Sequence, residues 1–242
     1  MLTNFKVISL NRNAKAAFMM KHAHTYALFL ILISQAVIAG LFSCRQGSKS
    51  APNKRLIDHN AAGVYTQYEY TDPSGINLIV KNSFPKGVTK YTDTNGEVYV
   101  WVVFWTQLIN ETDKPLEWKI DYPVDSYELP SLPGKYFKVL LPPDTMTPDK
   151  IPLYNYGLTD LKPFLDKNLH QPSSLKRTID PKGSSGFYVV ILSLLDGANG
   201  TMRTELSVKG QDLFYRVKID GSKSNGRSSD KEIHCGSIDF KN

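Results

Sequence analysis

Hydrophobic and polar residues alternate with a period of two in three segments of the chain. Residues 116–121 read LEWKID, and residues 202–209 and 213–220 alternate in the same way. This period predicts strands that bury one face and expose the other. Residues 209–212, which read KGQD, supply a turn between the last two segments, so we expect these two strands to form a hairpin.

Two further segments are apolar on both faces. Residues 98–105 read VYVWVVFW, and residues 187–195 read FYVVILSLL. Runs of this kind are typical of central strands that are covered on both sides. The Asn95–Gly96 pair ahead of the first run predicts a hairpin with residues 90–92.

Eleven prolines punctuate the middle of the chain and limit its strands to short pieces. One helix is predicted from Asp160 to Asn168, with Thr159 or Asp160 as its N-cap. The whole pattern predicts an all-β fold, an antiparallel immunoglobulin-like β-sandwich over residues 64–220 with one short helix in a long connection. Residues 221–242 begin GSKSNGRSSD and are predicted to form a flexible C-terminal tail.

An uncharged apolar run from Tyr26 to Phe42 follows the basic residue Lys21 and ends in Leu41-Phe42-Ser43-Cys44. This order of basic, apolar and small residues indicates a secretory signal. Its end resembles the lipobox of bacterial lipoproteins, in which Leu41 and Ser43 serve signal recognition and Cys44 receives the lipid. The alternatives are an ordinary secretory signal with Cys44 as a bystander thiol, a chance match, and a transmembrane helix, which needs about 20 apolar residues.

The resemblance implies two parts ahead of the sandwich. Residues 1–43 would be a signal peptide that starts at Met1, Met19 or Met20, and residues 44–63 would be a lipidated N-terminus and flexible tether. The implied location is the bacterial cell envelope, with the chain held at a membrane through its lipid anchor. The tether is basic rather than acidic, which we take to favour the periplasmic side over the cell surface.

Removal of the signal changes the charge of the chain. It takes away four of the 29 basic residues and none of the 23 acidic ones, so the net charge falls from +6 to +2. Such a small excess does not predict a nucleic-acid partner, which requires a clustered basic face. If Cys44 carries a lipid, Cys235 is the only other cysteine and has no disulfide partner.

Motifs for catalysis and metal binding are missing from the sequence. The histidines after the signal, His59, His170 and His234, are far apart, and no HExxH, GxSxG, Walker or Rossmann pattern occurs. The sequence therefore predicts no catalytic residue, metal site or cofactor. The adjacent His234 and Cys235 could bind a metal or supply a thiol nucleophile, but no orienting base is evident beside them.

Two groups of residues are candidates for a ligand or partner patch. One is the aromatic face of residues 98–105, which we expect to pack under the helix or a long loop; left uncovered, it would form a platform for a sugar or a partner. The other is a proline-bounded loop whose carboxylates and tyrosines suit a carbohydrate. The candidates are Tyr99, Trp101, Trp105, Asp121, Tyr122, Asp125 and Tyr127.

Asp144-Thr145-Met146 resembles the short O-glycosylation signal of secreted Bacteroidetes proteins, which would modify Thr145. Together with the lipobox and the strand pattern, the chain resembles secreted immunoglobulin-like lipoproteins of this group. The resemblance implies a non-catalytic binding or assembly role in the envelope, with another envelope protein or a glycan as partner. The alternatives are a surface carbohydrate-binding module and an enzyme whose residues converge only in three dimensions.

Overall fold

The alternating and two-sided apolar segments form two antiparallel sheets. The structure, a computed structural model, describes residues 53–56, 63–71, 77–129, 132–194, 201–220 and 228–240. All of them belong to one unit, Ser50–Asn242. Within these ranges, no helix has both the length and the apolar character needed to cross a membrane.

Fourteen strands are present in the described ranges. They are β1 (Asn53–Leu56), β2 (Val64–Thr71), β3 (Asn77–Ser83), β4 (Lys86–Thr92), β5 (Val98–Asn110), β6 (Leu116–Tyr122), β7 (Tyr127–Leu129), β8 (Leu132–Leu140), β9 (Thr145–Met146), β10 (Ser173–Ile179), β11 (Ser184–Leu194), β12 (Thr201–Lys209), β13 (Asp212–Asp220) and β14 (Ser228–Phe240). A large sheet of nine strands has the order β1-β2-β3-β5-β11-β8-β7, with β4 also paired to β5 and β9 to β11. A small sheet of five strands has the order β10-β6-β14-β13-β12.

The two sheets pack face to face around an apolar core. Trp118 on β6 of the small sheet lies 5.0 Å, between ring centroids, from Phe187 on β11 of the large sheet. The inward residues of β6 and β13 are the ones that the period-two pattern predicts to be buried. The predicted all-β sandwich of antiparallel sheets is therefore confirmed.

The two segments predicted to be central strands are the centre of the large sheet. β5 and β11 pair along eleven residues, from Ile109 opposite Ser184 to Tyr99 opposite Leu194. One face of the pair belongs to the core between the sheets, and the other belongs to a second apolar cluster. Burial on both faces confirms the interpretation of these runs.

The second cluster is covered by the long connection between β9 and β10. This covering segment contains the 3-10 helices Pro148–Lys150 and Tyr154–Gly157 and one α-helix, α1 (Leu161–Asn168). The predicted helix is confirmed, and its position in a long connection is also confirmed. Asp160 occupies the N-cap position, but it has a left-handed backbone (φ 51°) and its side chain makes no capping hydrogen bond.

The hairpin predictions are confirmed as well. Thr92 pairs with Val98 across the first turn, and Lys209 pairs with Asp212 across the second. In the second turn Gly210 has a φ of 66°, a conformation that glycine adopts without steric cost.

Two predicted boundaries need correction. The segment from 221 to 242 is not a flexible tail throughout, because β14 pairs with both β6 and β13 in the middle of the small sheet. Residues 53–56, which were predicted to belong to a tether over 44–63, form the edge strand β1, paired with β2. Both segments gain backbone hydrogen bonds from neighbouring strands, which the local sequence does not show.

Candidate functional site

The aromatic residues of the outer face of β5 are covered. Tyr99, Trp101 and Trp105 lie in the second cluster, with exposed fractions of 7%, 8% and 2%. The Trp105 ring meets the ring of Tyr156, from the covering segment, edge to face at 6.3 Å between centroids. Our expectation of a covered face is confirmed, and the alternative of an exposed aromatic platform here is ruled out.

The loop candidates do not converge on one patch. Asp121 lies on the outer face of β6, where its carboxylate pairs with the Lys119 ammonium group at 2.8 Å. Tyr122, the next residue, points the other way and packs edge to face against Tyr215 in the core. Asp125 is exposed, whereas Tyr127 is half-buried and stacks on Phe137. Alternation along the strand separates the groups that the sequence places side by side.

The same alternation separates His234 from Cys235 on β14. His234 is exposed, with Nε2 3.1 Å from the Asp212 carboxylate and its ring on Phe214. Cys235 is buried, and its thiol donates to the Leu213 carbonyl at 3.4 Å. Burial raises the pKa of the Cys235 thiol to about 12, so the nucleophilic thiolate is not available near neutral pH. The two side chains therefore cannot share one metal ion or act together.

Of the two predicted modification sites, one lies in the described ranges. Thr145 is exposed in the two-residue strand β9, next to an exposed Asp144. Its side chain is thus accessible to a modifying enzyme. The lipobox residues Leu41, Ser43 and Cys44 lie outside the described residues.

The structure reveals a surface that the sequence did not single out. Four large apolar side chains are exposed on β4, on the residues just before it and at the start of the second 3-10 helix. We call them the Tyr154 patch: Phe84 (41% exposed), Val88 (69%), Leu153 (49%) and Tyr154 (75%). Leu153 and Tyr154 are adjacent on the covering segment, whereas the Phe84 ring packs beside Tyr65 of β2 and Arg203 of β12.

Backbone strain is concentrated beside this patch. Val88 has a φ of 85° at a bulge between Gly87 and Thr89, where β4 shifts its register against β5. A β-branched residue rarely adopts this conformation. Across from it, Asn155 and Tyr156 have φ values of 47° and 56°. Asparagine adopts this left-handed conformation readily, whereas at Tyr156 it costs roughly 1–2 kcal/mol.

The two strained segments touch each other. A Cβ atom placed on Gly87 would lie 2.6 Å from the Trp101 ring and 3.3 Å from the Asn155 side-chain oxygen. Gly87 itself has a φ of 88°, so a larger residue would be excluded both by its backbone and by this close approach. Glycine thus allows the β4 bulge to lie directly against the left-handed turn.

Hydrogen bonds from distant residues hold the left-handed turn in place. The Lys86 ammonium group donates to the carbonyl oxygens of Ile151 at 2.6 Å and Leu153 at 2.8 Å, and it lies 4.3 Å from the Tyr156 ring centroid. The Tyr156 hydroxyl donates to the Phe84 carbonyl at 2.6 Å, and the Tyr188 hydroxyl donates to the Tyr156 carbonyl at 2.8 Å. These bonds offset the strain and fix the direction in which the patch side chains project.

Cations border the patch. The Arg203 guanidinium group stacks on two aromatic rings, at 5.3 Å from Phe84 and 5.5 Å from Tyr65. Neither Arg203 nor Lys86 has a carboxylate within 4 Å among the residues that the structure describes. Desolvation lowers the pKa of Lys86, since its ammonium group lies against the covering segment. Lys86 therefore lies among the carbonyl oxygens of the covering segment, and Arg203 lies against the aromatic rings of Phe84 and Tyr65.

Over the described ranges, no cluster of three or more His, Cys, Asp or Glu side chains is placed to hold a metal ion. Searches of protein-family models, curated proteins and solved structures give no match to this chain. In the sequence, the one signal for the patch is the string PLYNYGL at residues 152–158, which is apolar and aromatic where a surface loop is usually polar.

Proposed function

We propose that this chain is a lipid-anchored protein of the bacterial envelope whose immunoglobulin-like domain has a non-catalytic binding or assembly role. The observation that carries the proposal is the lipobox-like Leu41-Phe42-Ser43-Cys44, which ends an uncharged apolar run shortly before the folded domain begins. Two antiparallel sheets that bury Trp118 between them support the immunoglobulin-like assignment.

The position of β1 limits how far the domain can lie from the lipidated Cys44. The chain enters the large sheet at Asn53, nine residues after Cys44. At 3.3–3.6 Å per residue, those residues span about 30 Å at most, and a flexible chain of this length spans about 17 Å on average. The domain would therefore work close to the bilayer surface and not at the end of a long stalk.

The Tyr154 patch supports a binding role for the domain. Strained backbone persists where the surrounding structure holds it in place, and it is concentrated at functional surfaces. Here the left-handed backbone of Asn155 and Tyr156 directly follows Leu153 and Tyr154, whose side chains are exposed. The carbohydrate-module alternative is weaker, because the tryptophans that motivated it are buried under the covering segment.

The carboxylates give no support to the enzyme alternative. Asp166 is the described carboxylate with a shifted pKa, and hydrogen bonds from the Lys162 ammonium group and the Tyr91 hydroxyl lower it. A general acid needs the opposite shift, a pKa raised towards neutrality.

Metabolic labelling tests the anchor. Expressed in a bacterium with an alkyne-modified fatty acid, the natural chain should incorporate the label and sediment with membranes, and Cys44→Ser should do neither. Cys235→Ala is the matched control, and it should retain the label because Cys235 lies in the core. Labelling of Cys44→Ser at the level of the natural chain would refute the proposal.

O-glycosylation of Thr145 belongs to the same proposal, and its exposure on β9 supports it. Intact-mass measurement of the protein from a Bacteroidetes host should show added hexose mass that disappears in Thr145→Val. Thr147→Val, two residues along the chain, serves as the control and should keep the added mass. An unmodified mass for the natural protein would count against this part.

A further inference from the structure

We propose that Thr145 receives its glycan before β9 pairs with β11, and that the folded domain is a poor acceptor. This inference rests on the proposed function, because it assumes that Asp144-Thr145-Met146 is an O-glycosylation signal. The partner is then a glycosyltransferase that meets this segment while it is still unfolded, and folding of the domain ends the period in which the enzyme can act.

The folded domain hides one of the three residues of the signal. Asp144 and Thr145 are exposed, but Met146 is only 5% exposed and belongs to the second apolar cluster. Successive side chains of a strand point to opposite sides, so Thr145 faces solvent while Met146 faces the cluster. A transferase that reads all three side chains therefore cannot reach Met146 unless β9 is detached.

Three consecutive backbone carbonyl groups of the segment are also occupied. The Arg177 guanidinium group on β10 donates to the carbonyl oxygens of Pro143 at 3.0 Å and Asp144 at 3.2 Å. The Lys150 ammonium group donates to the carbonyl oxygen of Thr145 at 2.8 Å. Extended peptides are commonly recognised through main-chain hydrogen bonds, and in the folded domain these acceptors are already used.

Close packing against β11 holds the end of the signal in place. Gly186 lies opposite Met146, and a Cβ atom at position 186 would lie 2.2 Å from the Met146 carbonyl oxygen. Arg177 connects the same point to β10, because it also donates to the Gly186 carbonyl oxygen at 2.8 Å. Glycine at 186 thus allows β9 to pair with β11, and any larger residue would push β9 away.

The order of the chain provides a period in which the signal is free. Arg177 follows Pro143 by 34 residues, and Gly186 lies a further nine residues along the chain. In a chain that is exported N-terminus first, as we propose, Thr145 emerges before either of them, and β9 can pair only after this long loop closes. Because Thr145 faces solvent in the folded domain, a sugar attached earlier does not obstruct the pairing.

The transfer step requires a sugar donor in which the anomeric carbon is bonded to a phosphate group. The Thr145 hydroxyl oxygen bonds to the anomeric carbon, and the bond between that carbon and the phosphate oxygen breaks. The phosphate carrier leaves as an anion, and a base of the transferase takes the hydroxyl proton. The chain itself contributes only the acceptor hydroxyl and the side chains by which the segment is recognised.

A comparison of folded and unfolded acceptor tests the proposal. The full mature protein, made in a bacterium that lacks the transferase, is mixed with membranes of a Bacteroidetes host, which supply the enzyme and its donor. One sample is folded beforehand, and the other is diluted from urea directly into the membranes. Intact mass should show hexose addition at least about tenfold slower for the folded sample, since its signal is available only during local detachment of β9.

Variants that release β9 from the folded domain sharpen the test. Gly186→Ala places a Cβ atom against the Met146 carbonyl, so the folded variant should be modified at close to the rate of the diluted natural chain. Arg177→Gln removes hydrogen bonds without adding a clash, and it should raise the rate even if Gly186→Ala does not fold. Ser184→Ala, at an exposed position of β11, is the matched control and should leave the rate of the folded protein unchanged.

Failure of the proposed order is distinguishable from failure of the site. Equal rates for the folded and the diluted natural chain would overturn the order and leave the site intact, because the transferase would then read only the exposed Asp144 and Thr145. Absence of added hexose from every sample, the diluted one included, would contradict the modification of Thr145 and the proposed order with it.

Discussion

The side chain of Asn82 on β3 hydrogen-bonds both backbone groups of Leu206 on β12. Its oxygen accepts from the Leu206 N–H at 2.8 Å, and its amino group donates to the Leu206 carbonyl at 3.4 Å. Thr106 donates to the same oxygen, and the amino group also reaches Thr66. Since β12 is an edge strand of the small sheet, one side chain of the large sheet takes the place of a missing neighbouring strand.

Replacement of Asn82 should weaken the contact between the two sheets. In Asn82→Ala, the buried backbone groups of Leu206 lose their partners, and each such group costs about 1–3 kcal/mol. We expect the free energy of unfolding to fall by about 3 kcal/mol, measured by denaturant titration. Ser174→Ala, on an exposed position of β10, should change it by less than about 0.5 kcal/mol. Equal stability of both variants would mean that the Asn82 bonds contribute nothing.

Gly236 tests the placement of β14. It lies opposite Ile120, and a Cβ atom there would lie 1.9 Å from the Lys119 carbonyl oxygen. Gly236→Ala must therefore push β14 and β6 apart, and we expect a loss of about 1–3 kcal/mol or more in unfolding free energy. The exposed neighbour substitution Ser237→Ala should be nearly neutral. If Gly236→Ala is as stable as the natural chain, β14 does not pair with β6.

Alkaline pH should destabilise the domain. Burial raises the pKa of Cys235 from 9.0 to about 12 and the pKa of Tyr188 from 10.0 to about 12. The unfolded chain therefore releases these protons at a lower pH than the folded chain does, and stability falls as the pH rises from about 9 towards 12. Denaturant midpoints measured at pH 8, 9.5 and 11 should decrease in that order.

A variant without the thiol separates the contribution of Cys235 from that of the buried tyrosines. Cys235→Ala should flatten the decrease between about pH 8 and 9, where the thiol of the unfolded chain titrates ahead of the tyrosines, whose ordinary pKa is 10.0, and keep the steeper decrease above pH 10. A pH profile identical to that of the natural chain would show that the Cys235 thiol is not the group responsible.

Tryptophan fluorescence tests the burial that excluded the aromatic platform. Trp101, Trp105 and Trp118 are all less than 9% exposed, so their emission should lie at short wavelength and resist quenching by iodide. Unfolding in guanidinium chloride supplies the control, because all three then become accessible. Efficient iodide quenching of the folded protein would contradict the covered arrangement of β5.

The sandwich could be predicted from local sequence patterns, because the order of apolar and polar residues in its strands matches which side chains are buried. Apolar and polar residues alternate along β6, which predicts one buried face, and β11 is apolar on both sides, which predicts two buried faces. β14 was missed because its period is broken: its register shifts opposite Leu213 and Phe214, and the inward residues Cys235 and Ile238 are three positions apart. A bulge of this kind hides a strand from any search for strict alternation.

The candidate site was harder to predict from the sequence than the fold was. Asp121 and Tyr122 are neighbours in the sequence but project to opposite sides of β6, so their proximity carried no information about a shared patch. The Tyr154 patch depends on a turn held by Phe84, Lys86 and Tyr188, all distant along the chain. Asparagine tolerates left-handed backbone, but local propensity does not predict it at Tyr156, where tertiary hydrogen bonds impose it.

The position of β14 between β6 and β13 also dictates an order of folding. Leu116 finds its partner Phe240 only after nearly all of the described domain has been synthesised. Closing so long a loop is entropically expensive, and folding governed by distant pairings is slow. Until β14 arrives, β6 has only β10 as a neighbour, and the β12–β13 hairpin is not joined to it. A chain that is exported through a membrane, as we propose for this one, must remain unfolded during passage, and late closure of this sheet provides that delay.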